Sequence, residues 1–154
     1  MSWSCPAVAA ALVLVACGGT PSPAPASPDA APGPAFGVFL EAFQDAAIRS
    51  QTADLAAFLA DGAVIDGTPA RLGTADERRA FREDSTHAAM LDDWARAEVG
   101  FYLTTRDDLE PLGEGRYRMG LLRLRRDGSV VAAYAFTVAE VRGWIKIVEV
   151  ARVE

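Results

Sequence analysis

From position 36 the apolar residues Phe36, Phe39, Leu40, Phe43 and Ala47 recur at i, i+3, i+4, i+7 and i+11, which places an aromatic stripe on one face of a first helix. A second, shorter helix follows, with Thr52 as its N-cap, Leu55, Phe58 and Leu59 on one face, and Gly62 as its stop signal. Ala63-Val64-Ile65 and Ala70-Arg71-Leu72 flank Asp66-Gly67-Thr68-Pro69, whose turn chemistry predicts a short hairpin. Thr74-Ala75-Asp76-Glu77 fits a capping box, and the third helix that it opens buries Phe81. The stretch that follows reads either as a further helical segment capped by Ser85, with Ala88, Leu91 and Trp94 along it, or as loop.

From Ala97 the period switches to two: Val99, Phe101 and Leu103 alternate with Gly100, Tyr102 and Thr104. Arg116 to Arg126 and Val130 to Val141 are joined through Asp127-Gly128, a hairpin signal, and Arg142-Gly143 turns the chain into Trp144 to Val153. The pattern predicts a four-stranded antiparallel meander packed on helices. At Leu121-Leu122 two apolar neighbours interrupt the alternation, which predicts a bulge or bend there.

Composition sets the limits of this picture. The 154 residues allow one domain. With 15 Lys+Arg against 21 Asp+Glu the net charge is −6, which gives no overall attraction to phosphate backbones and argues against nucleic-acid binding. Cys5 and Cys17 are the chain's two cysteines, so everything beyond position 17 lacks both disulfides and thiolate ligands. One histidine, His87, without a usable cysteine is too few ligands for a zinc site, and no metal or cofactor is expected.

Both cysteines lie beside a greasy leader. Thirteen of the first sixteen residues are hydrophobic, and Ala7 to Ala16 is an unbroken apolar run of ten. That is shorter than the roughly 20 residues of a membrane-spanning helix and fits the apolar region of a signal peptide. It ends in Leu14-Val15-Ala16-Cys17, followed by Gly18-Gly19, and this resembles the lipobox of bacterial lipoproteins. The n-region, Met-Ser-Trp-Ser, departs from the usual pattern in having no Lys or Arg. The resemblance implies cleavage before Cys17, diacylglycerol on its thiol and an acyl chain such as palmitate on its new amino group. Two or three chains anchor stably where one does not. By the same resemblance, the absence of Asp just after Cys17 implies the outer membrane, with the domain facing the periplasm. Gly18 to Pro34 holds six of the nine prolines, has no apolar surface to bury and cannot form a helix. It reads as a disordered tether whose 17 residues reach roughly 50 Å when extended. The expected organisation is a signal peptide over 1–16, a lipidated cysteine and tether over 17–35, and a folded domain over 36–154.

The order of elements in that domain resembles the NTF2-like superfamily, with its SnoaL-like members. The resemblance rests on Phe39-Leu40-Glu41-Ala42-Phe43, on Asp54-Leu55-Ala56-Ala57-Phe58-Leu59, and on the closing Gly143-Trp144-Ile145-Lys146-Ile147-Val148. It implies an α+β cone in which three N-terminal helices pack on a curved antiparallel sheet around a pocket. Ile145 intervenes between Trp144 and the basic residue, so Trp144 and Ile147 face opposite sides of a regular strand unless a bulge intervenes. A cystatin-like sheet around one helix is the alternative, and it leaves two helices unused. The superfamily includes isomerases, dehydratases and many noncatalytic binders, so the fold does not choose the function.

The candidate chemistry is sparse. His87 has the side chain best suited to acid–base work near neutral pH, but helical spacing puts it with Leu91 and leaves Asp92 off that face. Most carboxylates fall in polar clusters such as Asp76-Glu77 and Asp92-Asp93, where capping and solvation account for them. Trp94, Tyr102 and Tyr134 are candidate pocket residues, able to offer an indole or hydroxyl donor, though such residues more often belong to the core. Arg116, Arg118, Arg123, Arg125 and Arg126 read as alternating cations on the exposed side of a hairpin. No G-x-S-x-G, Walker A or calcium-loop spacing is present, and Gly113-Glu114-Gly115 lacks the strand-to-helix context of a dinucleotide fingerprint. The expectation is a membrane-anchored envelope lipoprotein whose domain binds a small apolar ligand or an envelope protein without catalysis. An enzyme of isomerase, dehydratase or hydrolase type using His87 or a buried carboxylate, and a structural homodimer, are the alternatives.

Overall fold

The computed structural model describes residues 32–49, 51–95 and 108–153, and the backbone of 101–103. Helix α1 (Pro34–Ile48) buries Phe36, Phe39, Leu40, Phe43, Ala46 and Ala47, the stripe expected from their spacing. It starts two residues before the predicted domain boundary, within the proline-rich segment. Pro34 stands in its first turn, where a missing amide hydrogen has no helical partner to lose.

The second helix is shorter than its pattern suggested. Helix α2 covers Thr52–Ala56, Gln51 rather than Thr52 is at its N-cap, and no side chain caps it. Leu59 already belongs to strand β1 (Leu59–Ile65), because Leu59 pairs with Ile147 and the Phe58 carbonyl accepts from the Ile147 amide at 2.8 Å. Gly62 is therefore not a helix stop. It sits inside β1 at φ 78°, between Leu59 and Val64, where the pairing with the last strand skips register. The predicted hairpin follows: β2 (Thr68–Pro69) pairs with β1 across Asp66 and Gly67, both at positive φ as a two-residue hairpin turn requires.

Helix α3 (Ala75–Glu83) has the expected capping box: the Glu77 amide donates to Thr74 Oγ1 at 3.2 Å and the Thr74 amide to Glu77 Oε2 at 2.9 Å. A fourth helix, α4 (Ser85–Ala95), follows at once. Among the described residues there are thus four helices where three were expected. Its cap is Asp84 rather than Ser85, for Asp84 Oδ1 accepts from the amides of Thr86 and His87 at 3.0 Å each.

The remaining strands are β3 (Phe101–Leu103), β4 (Glu110–Gly113), β5 (Arg116–Leu124), β6 (Val130–Val141) and β7 (Trp144–Val153). The sheet runs β2-β1-β7-β6-β5-β3, with β4 also on β5. The expected meander is present, but the sheet is mixed rather than antiparallel because β1 lies parallel to β7. That pairing joins positions more than eighty residues apart and has no local signal.

No bulge interrupts Leu121-Leu122, which pair regularly with Tyr134 and Ala133. The buried phase simply continues through Tyr117, Met119, Leu121 and Arg123, and the register shift comes after it, between Arg123 and Leu124. In β7 an irregularity at Val148 lets Ile147 and Val150 both point inward, while Trp144, 72% exposed, faces out. The result is an α+β fold with the helices packed on a curved sheet. Its core is aromatic: the Phe43 ring centroid lies 5.4 Å from Phe58, 5.9 Å from Phe136 and 6.1 Å from Trp94.

Candidate functional site

Three-residue spacing along α4 brings His87, Met90 and Asp93 to one side of the helix, facing Tyr134 of β6, Arg152 of β7 and the β1–β2 turn. Together they enclose an open cavity of about 420 Å³, within the range usual for small-molecule sites. Ile65, Ala89 and Met90 supply apolar wall, and Asp66, Thr68, Asp84 and Thr86 add polar lining.

The polar heart of this region joins three elements. Arg123 Nη1 donates to Asp93 Oδ1 at 2.6 Å, and the Tyr134 hydroxyl donates to Asp93 Oδ2 at 2.7 Å. Arg123 is not on the exposed side of its hairpin, as the arginine pattern suggested, but 8% exposed among the core residues. It shares the parity of Met119 and Leu121, and Asp93 supplies the counter-charge that a buried guanidinium needs. Arg116 and Arg118 do face outward, near Glu114 and Glu110. Burial pushes the Tyr134 phenol well above its ordinary range, and the hydrogen bond to Asp93 and that carboxylate's charge add to the shift. Tyr134 is thus a neutral donor aimed at Asp93.

His87 stacks on Phe81, with ring centroids 4.0 Å apart and planes 15° from parallel. Its Nδ1 lies 3.2 Å from Asp84 Oδ1 yet makes no hydrogen bond there, so the pair attracts as charges only when the ring is protonated. Asp84 Oδ1 is already occupied by two backbone amides. The amide of His87 is the chief cause holding the Asp84 carboxyl below its ordinary value, assisted by the His87 charge and opposed by desolvation.

Of the residues singled out from the sequence, His87 and Tyr134 meet in this cavity. Trp94 does not line it: at 1% exposure it packs edge-on to Phe136, 4.9 Å away, in the core. Its indole Nε1 has no hydrogen-bond partner among the described residues. The side chain of Tyr102 and all of Cys17 lie outside the described residues. Sequence reasoning missed Asp93 and Arg123. Parity along β5 hinted that Arg123 faces inward, whereas Asp93 carried no local signal, because its partners lie 30 and 41 residues away. Among the described residues no group of three His, Cys, Asp or Glu side chains is arranged to hold a metal ion.

A second concavity, about 580 Å³, opens between α1, α2 and the β6–β7 turn. Val38, Phe39, Phe58, Trp144 and Ile145 make it predominantly apolar. Lys146 crosses its edge, donating from Nζ to the Ala57 carbonyl at 2.6 Å, and burial lowers its pKa.

No protein-family model matches the chain, and no curated protein matches it. Among solved structures it is similar to an NTF-2 like protein of unknown function from Shewanella oneidensis, at 12% identity and TM-score 0.47 over 79% of this chain and 98% of that one. A domain of unknown function with a cystatin-like fold from Nostoc punctiforme is similar at 15% identity and TM-score 0.44, covering 77% of this chain and 74% of the other. A de novo designed protein with a curved β-sheet gives 14% identity and TM-score 0.43 over 76% and 97% of the two chains. With every one of these scores below 0.5, the fold of this chain is described by its own element order and sheet topology.

Proposed function

We propose that this chain is a lipid-anchored cell-envelope protein whose NTF2-like domain binds a small ligand without transforming it. The anchor is Cys17, acylated after cleavage of the signal peptide, and the domain faces the periplasm from the outer membrane. The ligand site is the cavity between α4, β6, β7 and the β1–β2 turn. Its ligand has an apolar body, to lie against Ile65, Ala89 and Met90, and a polar group to meet Tyr134, His87 or Arg152.

One observation carries the noncatalytic reading: both oxygens of Asp93, the carboxylate beside Tyr134, are engaged by protein donors at 2.6 and 2.7 Å. An acid–base catalyst needs its proton-accepting atom directed at the substrate, whereas Asp93 ties α4 to β5 and β6. His87 in the same wall favours the second reading, acid–base catalysis on a small substrate.

Thermal-shift screening of the purified Cys17→Ser chain against small amphipathic molecules tests binding, since a ligand held only by the native state raises the melting temperature. A hit whose shift is lost in Met90→Glu supports the site, and one indifferent to that change overturns it. A hit consumed by the protein but not by His87→Ala would establish the catalytic reading instead. For the anchor, Cys17→Ser is expected to release the protein from the membrane fraction, and retention after a salt wash would refute lipidation.

A further inference from the structure

The apolar groove between α1, α2 and the β6–β7 turn is separate from the ligand cavity, and its position relative to the expected anchor is informative. Val38 is 68% exposed and Trp144 72%, two large hydrophobic side chains that the fold leaves in water on the two sides of one groove. Monomeric proteins seldom leave a contiguous apolar face uncovered. The groove contains Ala35, in the first turn of α1, so the chain enters the domain at this end. The segment that enters there, Gly18 to Pro34, leads from Cys17, and its 17 residues are all that separate the expected acyl chains from the groove.

We infer that this end of the domain docks on the lipid surface, with Trp144 and Val38 entering the headgroup region and the side chains of Arg142 and Lys146 beside them. The inference rests on the lipoprotein reading of Cys17. The residue types fit that occupant. Tryptophan prefers the membrane interface, where its ring is apolar and its N–H stays wet. Arg142, in the exposed turn, and Lys146 bracket Trp144 in sequence, and cations at that depth meet lipid phosphates while their stems cover apolar surface. The two-residue turn at Arg142 and Gly143, both at positive φ, sets Trp144 directly opposite Val141 at the end of the hairpin, where its side chain is exposed. A lipid anchor also supplies the encounter: a groove on a tethered domain meets the bilayer at high effective concentration, so weak apolar contacts suffice.

The test uses the mature, detergent-extracted protein reconstituted into vesicles of phosphatidylethanolamine and phosphatidylglycerol, with plain or dibrominated acyl chains. Once the first sixteen residues are removed, the tryptophans are Trp94 and Trp144. Trp94 is sealed in the core and serves as an internal reference, so bromolipid quenching reports Trp144. The expected result is loss of about half of the tryptophan emission in brominated relative to plain vesicles, abolished in Trp144→Phe and reduced by Val38→Asp. Firm vesicle association without quenching would overturn the docking and leave the anchor standing. Failure to associate, with no acyl mass on Cys17, would overturn both. If Trp144→Phe instead halves the sedimenting mass of the Cys17→Ser protein and quenching is absent, the groove is a contact between copies of this chain and the lipid assignment fails.

Discussion

The Tyr134 hydroxyl donates to Asp93 Oδ2 at 2.7 Å across 41 residues of sequence, fastening the middle of β6 to the last turns of α4. Tyr134→Phe removes that bond and leaves Asp93 with Arg123. Denaturant unfolding is expected to show a loss of about 1.5–3 kcal/mol, the value of a hydrogen bond to a charged group. A loss well above that range would mean that Tyr134 holds α4 in place by more than this bond.

Asp93 and Arg123 carry more. Asp93→Ala leaves a buried guanidinium without its carboxylate and is expected to cost about 3–5 kcal/mol. Replacing both, as Asp93→Leu with Arg123→Met, removes the buried charges together and is expected to be less destabilising than the single change. Urea midpoints of the wild type, the single variants and the double variant measure this directly. A double variant as unstable as the sum of the singles would contradict it.

Acid stability depends in part on Asp84. Its folded carboxyl is held below the ordinary value of 3.8, so its capping of α4 contributes fully above that pH and is lost as the pH falls through the lowered value. Asp84→Asn keeps an N-cap acceptor and removes the titration. The variant is expected to keep most of the wild-type stability near neutrality and to have a shallower acid limb in melting temperature against pH. An unchanged acid limb would show that other carboxylates govern it.

Phe43 has no exposed surface and stacks or packs edge-on against Phe39, Phe58 and Phe136. Phe43→Ala is expected to cost about 3–5 kcal/mol, enough to consume much of the stability of a domain this size. Circular dichroism during thermal unfolding reads the loss, and Phe43→Leu is expected to recover part of it.

What could be read along the chain and what could not divides by the range of the interactions. The α1 stripe, the Thr74 to Glu77 capping box and the hairpin turns at Gly67 and Gly143 are legible because each depends on residues within a turn or two of one another. The end of α2 is not: periodicity extends to Leu59, but Leu59 gives its backbone to Ile147 on the far side of the sequence. Leu121-Leu122 looked like a slipped phase because Arg123, a charged residue, occupies the next inward position.

The sequence by itself determined the class of the fold, most of its core and the strands of the meander, since hydrophobic periodicity is a local property that survives without knowledge of partners. Only the tertiary structure decided the candidate site. Asp93 and Arg123 are 30 residues apart, Asp93 and Tyr134 41, and neither partner alone is distinguishable from an ordinary surface charge or half-buried tyrosine. A guanidinium enters the core only where a carboxylate from another element meets it, and it is the packing of α4 on the sheet that brings the two together.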